Sequence, residues 1–210
     1  MGNFEKDLNS VIKKTFDILR GNSQGNESRL VFPDYTLGGM RVSEQELRFV
    51  FVEQIQELLK EYNYFYSVET PTKDRYKFTK DGKNIPCKSG EGQSANFDLT
   101  IKDRDKKNIA IIEFKANTAS EHAYAKDLCK LWNTNEEGDY RYFICLFKKM
   151  NENTLETFES KLESKDWYDN KDKFESDNKI HVIAQSLSFD DAKYDKVICI
   201  KNGSITESQS

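Results

Sequence analysis

Residues 96–116, NFDLTIKDRDKKNIAIIEFKA, hold two stretches of alternating side chains around a polar link. In the first, Phe97, Leu99 and Ile101 alternate with Asp98, Thr100 and Lys102, the period of a strand with one buried face. In the second, Ala110, Ile112 and Phe114 alternate with Ile109, Ile111, Glu113 and Lys115. With residues 103–108 as a hairpin loop, Phe97 pairs with Phe114, Leu99 with Ile112 and Ile101 with Ala110, so one face is apolar throughout. The same register sets Asp98 directly opposite Glu113 on the other face. Residues so opposed hold their Cβ atoms about 4.5–5.5 Å apart, and two carboxylates there repel unless a cation lies between them. A divalent ion such as Mg2+ suits that gap, because one or two carboxylates plus water and substrate oxygens suffice to hold it. Lys115, two residues past Glu113, shares its face and brings a positive charge beside the metal.

Upstream, Phe4, Leu8, Val11, Ile12, Ile18 and Leu19 predict a helix over residues 4–20. GNSQGNES (21–28) reads as a loop and residues 32–39 as irregular structure. A longer helix is predicted over about 43–62. Ser43 and Glu46 form a capping box at its start, and Leu47, Phe51, Ile55, Leu58 and Tyr62 form its apolar stripe. Residues 64–70 read as a strand, and 72–88 as a basic, strand-like segment with an Asp81-Gly82 turn. Downstream, the pattern predicts a helix over 119–132, a strand over 140–147 and a helix over 152–164. A polar loop follows at 165–179, then strands at 181–189 and 196–201, and the SITESQS tail is expected to fray. This order implies an α/β fold, a mixed central sheet flanked by helices.

A chain of 210 residues suits one domain, spanning 1–210, with an N-terminal helix and loop (1–42), a core (43–147) and a C-terminal helix and strands (148–210). Hydrophobic residues make up 37%, but 14 Phe and 10 Tyr supply the bulk for a core. The net charge of −4 argues against indiscriminate coating of nucleic acid, yet residues 71–149 carry +4 between acidic flanks of −3 and −5. No stretch approaches the roughly 18 apolar residues of a membrane span, and the first residues lack the apolar run of a signal peptide, so a cytoplasmic protein is expected. None of the four cysteines falls in a C-x-x-C pair and there are two histidines, which disfavours structural zinc. Cys145 and Cys199 sit in apolar strand patterns and read as small buried hydrophobes in a reducing compartment.

The conjunction of F-D-L-T-I, I-I-E-F-K, a preceding helix with acidic residues and a following helix and strand, over roughly residues 43–147, resembles the PD-(D/E)XK nuclease superfamily, which includes restriction endonucleases and Holliday-junction resolvases. The resemblance implies a restriction-endonuclease-like core, with Asp98 and Glu113 as ligands of Mg2+ or Mn2+, the Phe114 carbonyl as a further ligand and Lys115 as the catalytic cation. Family members often have Pro before the Asp, where this chain has Phe97. Many also place a Glu on the preceding helix. Glu46 is the choice here over Glu53, although a capping box explains Glu46 without any chemistry. The activity so implied is an endonuclease, hydrolysing phosphodiester bonds of nucleic acid, DNA before RNA, with restriction or defence within the superfamily's range. No membrane is implied, and a homodimer is compatible with the resemblance. The alternative is a non-catalytic binding module or a nuclease-like subunit that needs a partner.

Two further groups are candidates for contact with nucleic acid. Residues 72–88 carry six basic and two acidic side chains, among them Lys77, Lys80 and Lys83, interleaved with Tyr76 and Phe78. An exposed hairpin explains them as well. His122, Lys126 and Lys130 lie on the helix after the E-x-K strand, where a solvated face is the plain alternative.

Overall fold

The computed structural model describes residues 3–23, 30–117, 119–164, 178–201 and 204–207. They form an α/β fold around an eight-stranded mixed sheet. Helices α1 (Phe4–Ser23) and α2 (Glu44–Tyr62) come first. Strands β1 (Phe65–Lys80), β2 (Lys83–Ser89), β3 (Gln93–Lys102) and β4 (Asn108–Ala116) follow. Then come α3 (Glu121–Trp132), β5 (Tyr140–Phe147), α4 (Glu152–Leu162), β6 (Lys179–Ser186), a 3-10 turn (Phe189–Tyr194), β7 (Lys196–Lys201) and β8 (Ser204–Glu207).

The spatial order is β2-β1-β3-β4-β5-β6-β7-β8. β4, β5 and β6 run parallel, joined by crossovers through α3 and α4, and the remaining neighbours are antiparallel. Both faces of the sheet are covered. α1 and α2 pack Phe16, Leu47, Phe51 and Ile55 against Leu99, Ile112, Phe114 and Ile144. On the other face α3 and α4 pack Tyr124, Leu128, Phe158 and Leu162 against Ile111, Phe143 and Val182. The parallel strands are buried on both faces and read as near-continuous apolar runs, as such strands must.

Local chemistry explains most boundaries. Ser43 caps α2 with Glu46 in the expected capping box, and Asn63, in the left-handed region at φ 54, ends the helix. The β1–β2 hairpin turns at Asp81-Gly82, both at positive φ, as a two-residue turn requires. Three differences from the sequence reading stand out. Residues 204–207 pair with β7, with Ile205 opposite Ile200, instead of fraying. α1 continues to Ser23, three residues beyond the predicted end, so the start of the 21–28 segment is helix; its remainder, like most of the loop at 165–179, falls outside the described residues. Cys87 of β2 and Cys129 of α3 are joined by a disulfide, which does not fit the reducing compartment suggested by the cysteine pattern. Cys145 and Cys199 are free thiols, the first buried and the second half-buried.

The long first hairpin is tied to the body by a carboxylate. Glu136, 2% exposed in the α3–β5 connection, accepts from the backbone N–H of Lys73 and of Asp74, each at 2.9 Å, and from the Tyr76 hydroxyl at 2.8 Å. These bonds fall where the β1–β3 register shifts between Pro71 and Arg75, so the carboxylate replaces ladder partners that the shift removes. Glu136→Ala strands three donors, each costing about 1–3 kcal/mol if it finds no water. Urea unfolding at neutral pH is expected to show a loss of at least about 2 kcal/mol, with a smaller loss for Glu136→Gln. A loss below about 0.5 kcal/mol would mean that the hairpin is held by its apolar contacts alone.

Candidate functional site

Asp98 and Glu113 lie at the end of the antiparallel β3–β4 ladder, which runs Leu99–Ile112, Thr100–Ile111 and Ile101–Ala110, near enough for the Asp98 charge to bear on Glu113. The next step of that register sets Asp98 against Glu113, but the regular ladder stops one residue short. The Phe114 N–H, which would otherwise bond to the β3 backbone, donates to Asp98 Oδ2 at 2.8 Å. Beyond this point the strand rolls. Phe97 is buried with the α3 side of the core, whereas Leu99 and Phe114 lie on the α2 side, so the expected Phe97–Phe114 pairing on one face is not formed. Nor do the two carboxylates share a face as expected, since Asp98 opens with Phe114 into a cavity under α2 while Glu113 meets Lys130 of α3.

Glu113 is 1% exposed, and Lys130 of α3 meets it at 2.5 Å. Lys130 also lies 3.0 Å from Asp127 and donates to the Asn96 carbonyl at 2.8 Å. Lys115 lies 2.6 Å from the other Asp127 oxygen and 3.5 Å from Glu44, at the first turn of α2, and donates to the Phe114 carbonyl at 3.2 Å. Glu113 and Lys115 therefore face α3 together, as their spacing on one strand requires. Arg48 approaches from α2, 4.0 Å from Asp98 and 2.7 Å from Glu69. Glu69 itself holds φ at 48, a left-handed conformation that costs a non-glycine residue energy and is concentrated at functional sites.

The charges explain one another. Burial pushes the Glu113 carboxyl well above its ordinary value; Lys130 opposes this, and Asp127 and Asp98 add to it. Burial would raise Asp127 as well, but Lys130 and Lys115 together hold it below its usual range. Glu44 is raised by burial and by Asp98 and Asp127, against Lys115. Burial alone would lower both lysines, yet the carboxylates around them raise them and keep both charged. Five carboxylates, Glu69 among them, face two ammonium groups and one guanidinium.

A polar cavity of about 80 Å3 opens beside this cluster, lined by Glu44, Gln45, Arg48, Glu69, Asp98 and Phe114. Asp98 Oδ1 and Glu44 supply hard oxygen donors, and the space exceeds the roughly 10–15 Å3 that a single water needs, so a partly hydrated Mg2+ or Mn2+ fits. Among the described residues, however, no three acidic, histidine or cysteine side chains form a ready-made metal centre, because Glu113 is turned to Lys130.

The other candidates fall elsewhere. Glu46 is occupied by the capping box, accepting from the Ser43 N–H and hydroxyl, with Arg41 at 3.3 Å. Glu53 lies farther along α2, outside the cavity lining. Lys80 and Lys83 face each other at the exposed tip of the first hairpin. Lys77 lies 3.7 Å from Glu91, and Lys126 sits 4.9 Å over the Phe78 ring. His122, in the first turn of α3, has both ring nitrogens buried and without a hydrogen-bond partner. Sequence reasoning missed Glu44, Arg48 and Asp127. Glu44 and Arg48 had a signal: stepping back seven residues from Phe51 and Ile55 on the sheet-facing stripe of α2 reaches both.

No protein-family model matches the chain, and no match was found among curated proteins or solved structures.

Proposed function

We propose that the chain is a metal-dependent nuclease that hydrolyses phosphodiester bonds of nucleic acid, DNA before RNA. The observation that carries this reading is the crowding of Glu44, Glu113 and Asp127 around Lys115 and Lys130 at the C-terminal end of a central parallel strand, with Asp98 beside Arg48 next to them. Buried ion clusters of this kind are a poor way to stabilise a fold, since apolar residues in the same volume do as well or better. Strongly shifted carboxyls beside a cavity, outside the strand ends of an α/β sheet, are a recurring mark of chemistry.

On this reading Asp98 Oδ1 and Glu44, with Glu113 behind them, would hold a divalent cation. When bound, that ion would polarise a phosphate oxygen and lower the pKa of a coordinated water. Lys115 supplies a positive charge where negative charge builds up on the phosphate, and Asp127 and Glu44 orient its ammonium. Arg48, at the mouth of the cavity, can hold a non-bridging phosphate oxygen.

The second reading is a binding module without catalysis. It is favoured by one observation, that Glu113 is already engaged in an ion pair with Lys130. Supercoiled plasmid, single-stranded DNA and RNA incubated with Mg2+, with Mn2+ or with EDTA separate the two. Cleavage that needs the metal and stops with EDTA is expected, and binding without cleavage of any substrate would favour the module.

Two variants test the roles. Lys115→Ala is expected to bind Mg2+ at least as well as the parent, since a nearby cation is removed, and to cleave at least about a hundredfold more slowly. Equal cleavage rates would remove Lys115 from the mechanism. Asp98→Asn keeps an acceptor for the Phe114 N–H while removing a charge that repels Glu113 and Glu44. Its melting temperature is expected to rise while cleavage is lost; a destabilisation of about 1 kcal/mol or more would make Asp98 a structural residue.

A further inference from the structure

A second and much larger concavity, about 940 Å3, runs between the first hairpin and α3. One end is floored by Tyr76 and Phe78 of β1, and the other reaches Asp127 and Lys130, the pair that grips Lys115 and Glu113. The trough thus leads from a pair of aromatic rings to the charge cluster. Its backbone is fixed by close approach. Gly92, at φ 89, lies so near β1 that a Cβ there would come within 2.2 Å of the Tyr76 carbonyl oxygen, so no side chain fills this part of the wall.

The lining is cationic. Arg75, Lys77, Lys126 and Lys130 stand against Glu91 and Asp127. Lys130 and Asp127 are committed to the cluster, and Lys77 has only the exposed Glu91 at 3.7 Å. Arg75 is exposed and Lys126 half-exposed, and among the described residues neither has a carboxylate partner. The rings of Tyr76 and Phe78 are parallel within 2° with centroids 5.9 Å apart; Tyr76 is buried beneath the hairpin, while Phe78 is half-exposed. The Lys126 ammonium lies 4.9 Å over the Phe78 ring, so a base that stacks there takes its place and moves this flexible cation outward to the attached phosphate.

We propose that this trough binds single-stranded nucleic acid, with a base stacked on Phe78 and phosphates beside Arg75, Lys77 and Lys126. Given the nuclease reading, on which this step rests, the inner end of the trough brings the strand against Asp127 and Lys130, the residues that hold Lys115 and Glu113. A duplex keeps its base faces stacked inside and can offer the trough only phosphates. Only an unpaired nucleotide satisfies both the cations and the aromatic ring.

The test is fluorescence anisotropy in EDTA, where binding is read without cleavage, using labelled deoxy- and ribo-oligonucleotides, each single-stranded and as a duplex of the same sequence. At least tenfold tighter binding of single strands is expected, and comparison of the two sugars assigns DNA or RNA. Phe78→Ala and Phe78→Leu are expected to weaken it about fivefold or more, the size of one lost stacking contact, while Phe78→Tyr retains it. The leucine variant keeps apolar bulk and so separates stacking from folding. Lys126→Ala is expected to reduce the slope of log K against log salt by about 0.7, the share of one phosphate contact on a single strand. Lys60→Ala, on the exposed face of α2, leaves both affinity and slope unchanged. Equal affinity for duplex and single strand, unchanged binding by Phe78→Leu, or equal competition by polyglutamate would overturn the proposal. The nuclease reading fails separately: single-strand binding without metal-dependent cleavage leaves the trough and removes the enzyme, whereas duplex cleavage without strand preference does the reverse.

Discussion

Lys130 sits between Glu113 and Asp127 with its charge almost wholly removed from water. Such an arrangement is stable only while every partner stays in place, because removing one leaves a buried charge uncompensated at a cost of about 3–5 kcal/mol. The constraint propagates outward. Lys130 and Asp127 are one helical turn apart on α3, so α3 must dock on the sheet at the level of Glu113. Lys130 also donates to the Asn96 carbonyl, which fixes the start of the rolled part of β3. Asp127, held by Lys130, in turn receives Lys115 and sets its height beside Asp98. The helix, both strands and the inner end of the trough are therefore located by one ammonium group.

The sheet was legible where strands bury side chains in a regular pattern. Period-two alternation identified β3 and β4, apolar runs identified β5 and β7, and the Asp-Gly pair identified the hairpin turn. Phe97 defeats the alternation because Asp98 takes the Phe114 N–H through its side chain, an event no periodicity records. β8 is four residues, three of them polar, with no face of its own to bury. It exists because β7 offers an open edge, which is tertiary information.

The site was legible in its strands and not in its helices. Asp98, Glu113 and Lys115 follow from register and spacing. Glu46 drew attention because the capping box makes it conspicuous, yet that box consumes its oxygens, while Glu44 projects toward the strand ends. An Asp127–Lys130 pair three residues apart on a helix ordinarily marks a solvated surface, and only the packing of α3 against Glu113 reverses that meaning. Cys87 and Cys129 are 42 residues apart, and nothing in their local sequence shows that the hairpin folds back onto α3.

The hydrogen bond that ends the β3–β4 ladder also limits what Asp98 can do. With one lone pair of Oδ2 taken by the Phe114 amide, Oδ1 is the freer oxygen to approach a cation. In the role proposed above, Asp98 would favour one-oxygen ligation, and an ion held there would complete its shell largely from solvent and from what is brought to it. A small octahedral ion that keeps its own waters suits this arrangement. A larger ion that relies on both oxygens of a carboxylate to reach seven or eight ligands would have to share one of them with the amide. Selectivity between the two would then be written into the backbone of the sheet, and a change of acidic residues alone would not shift it.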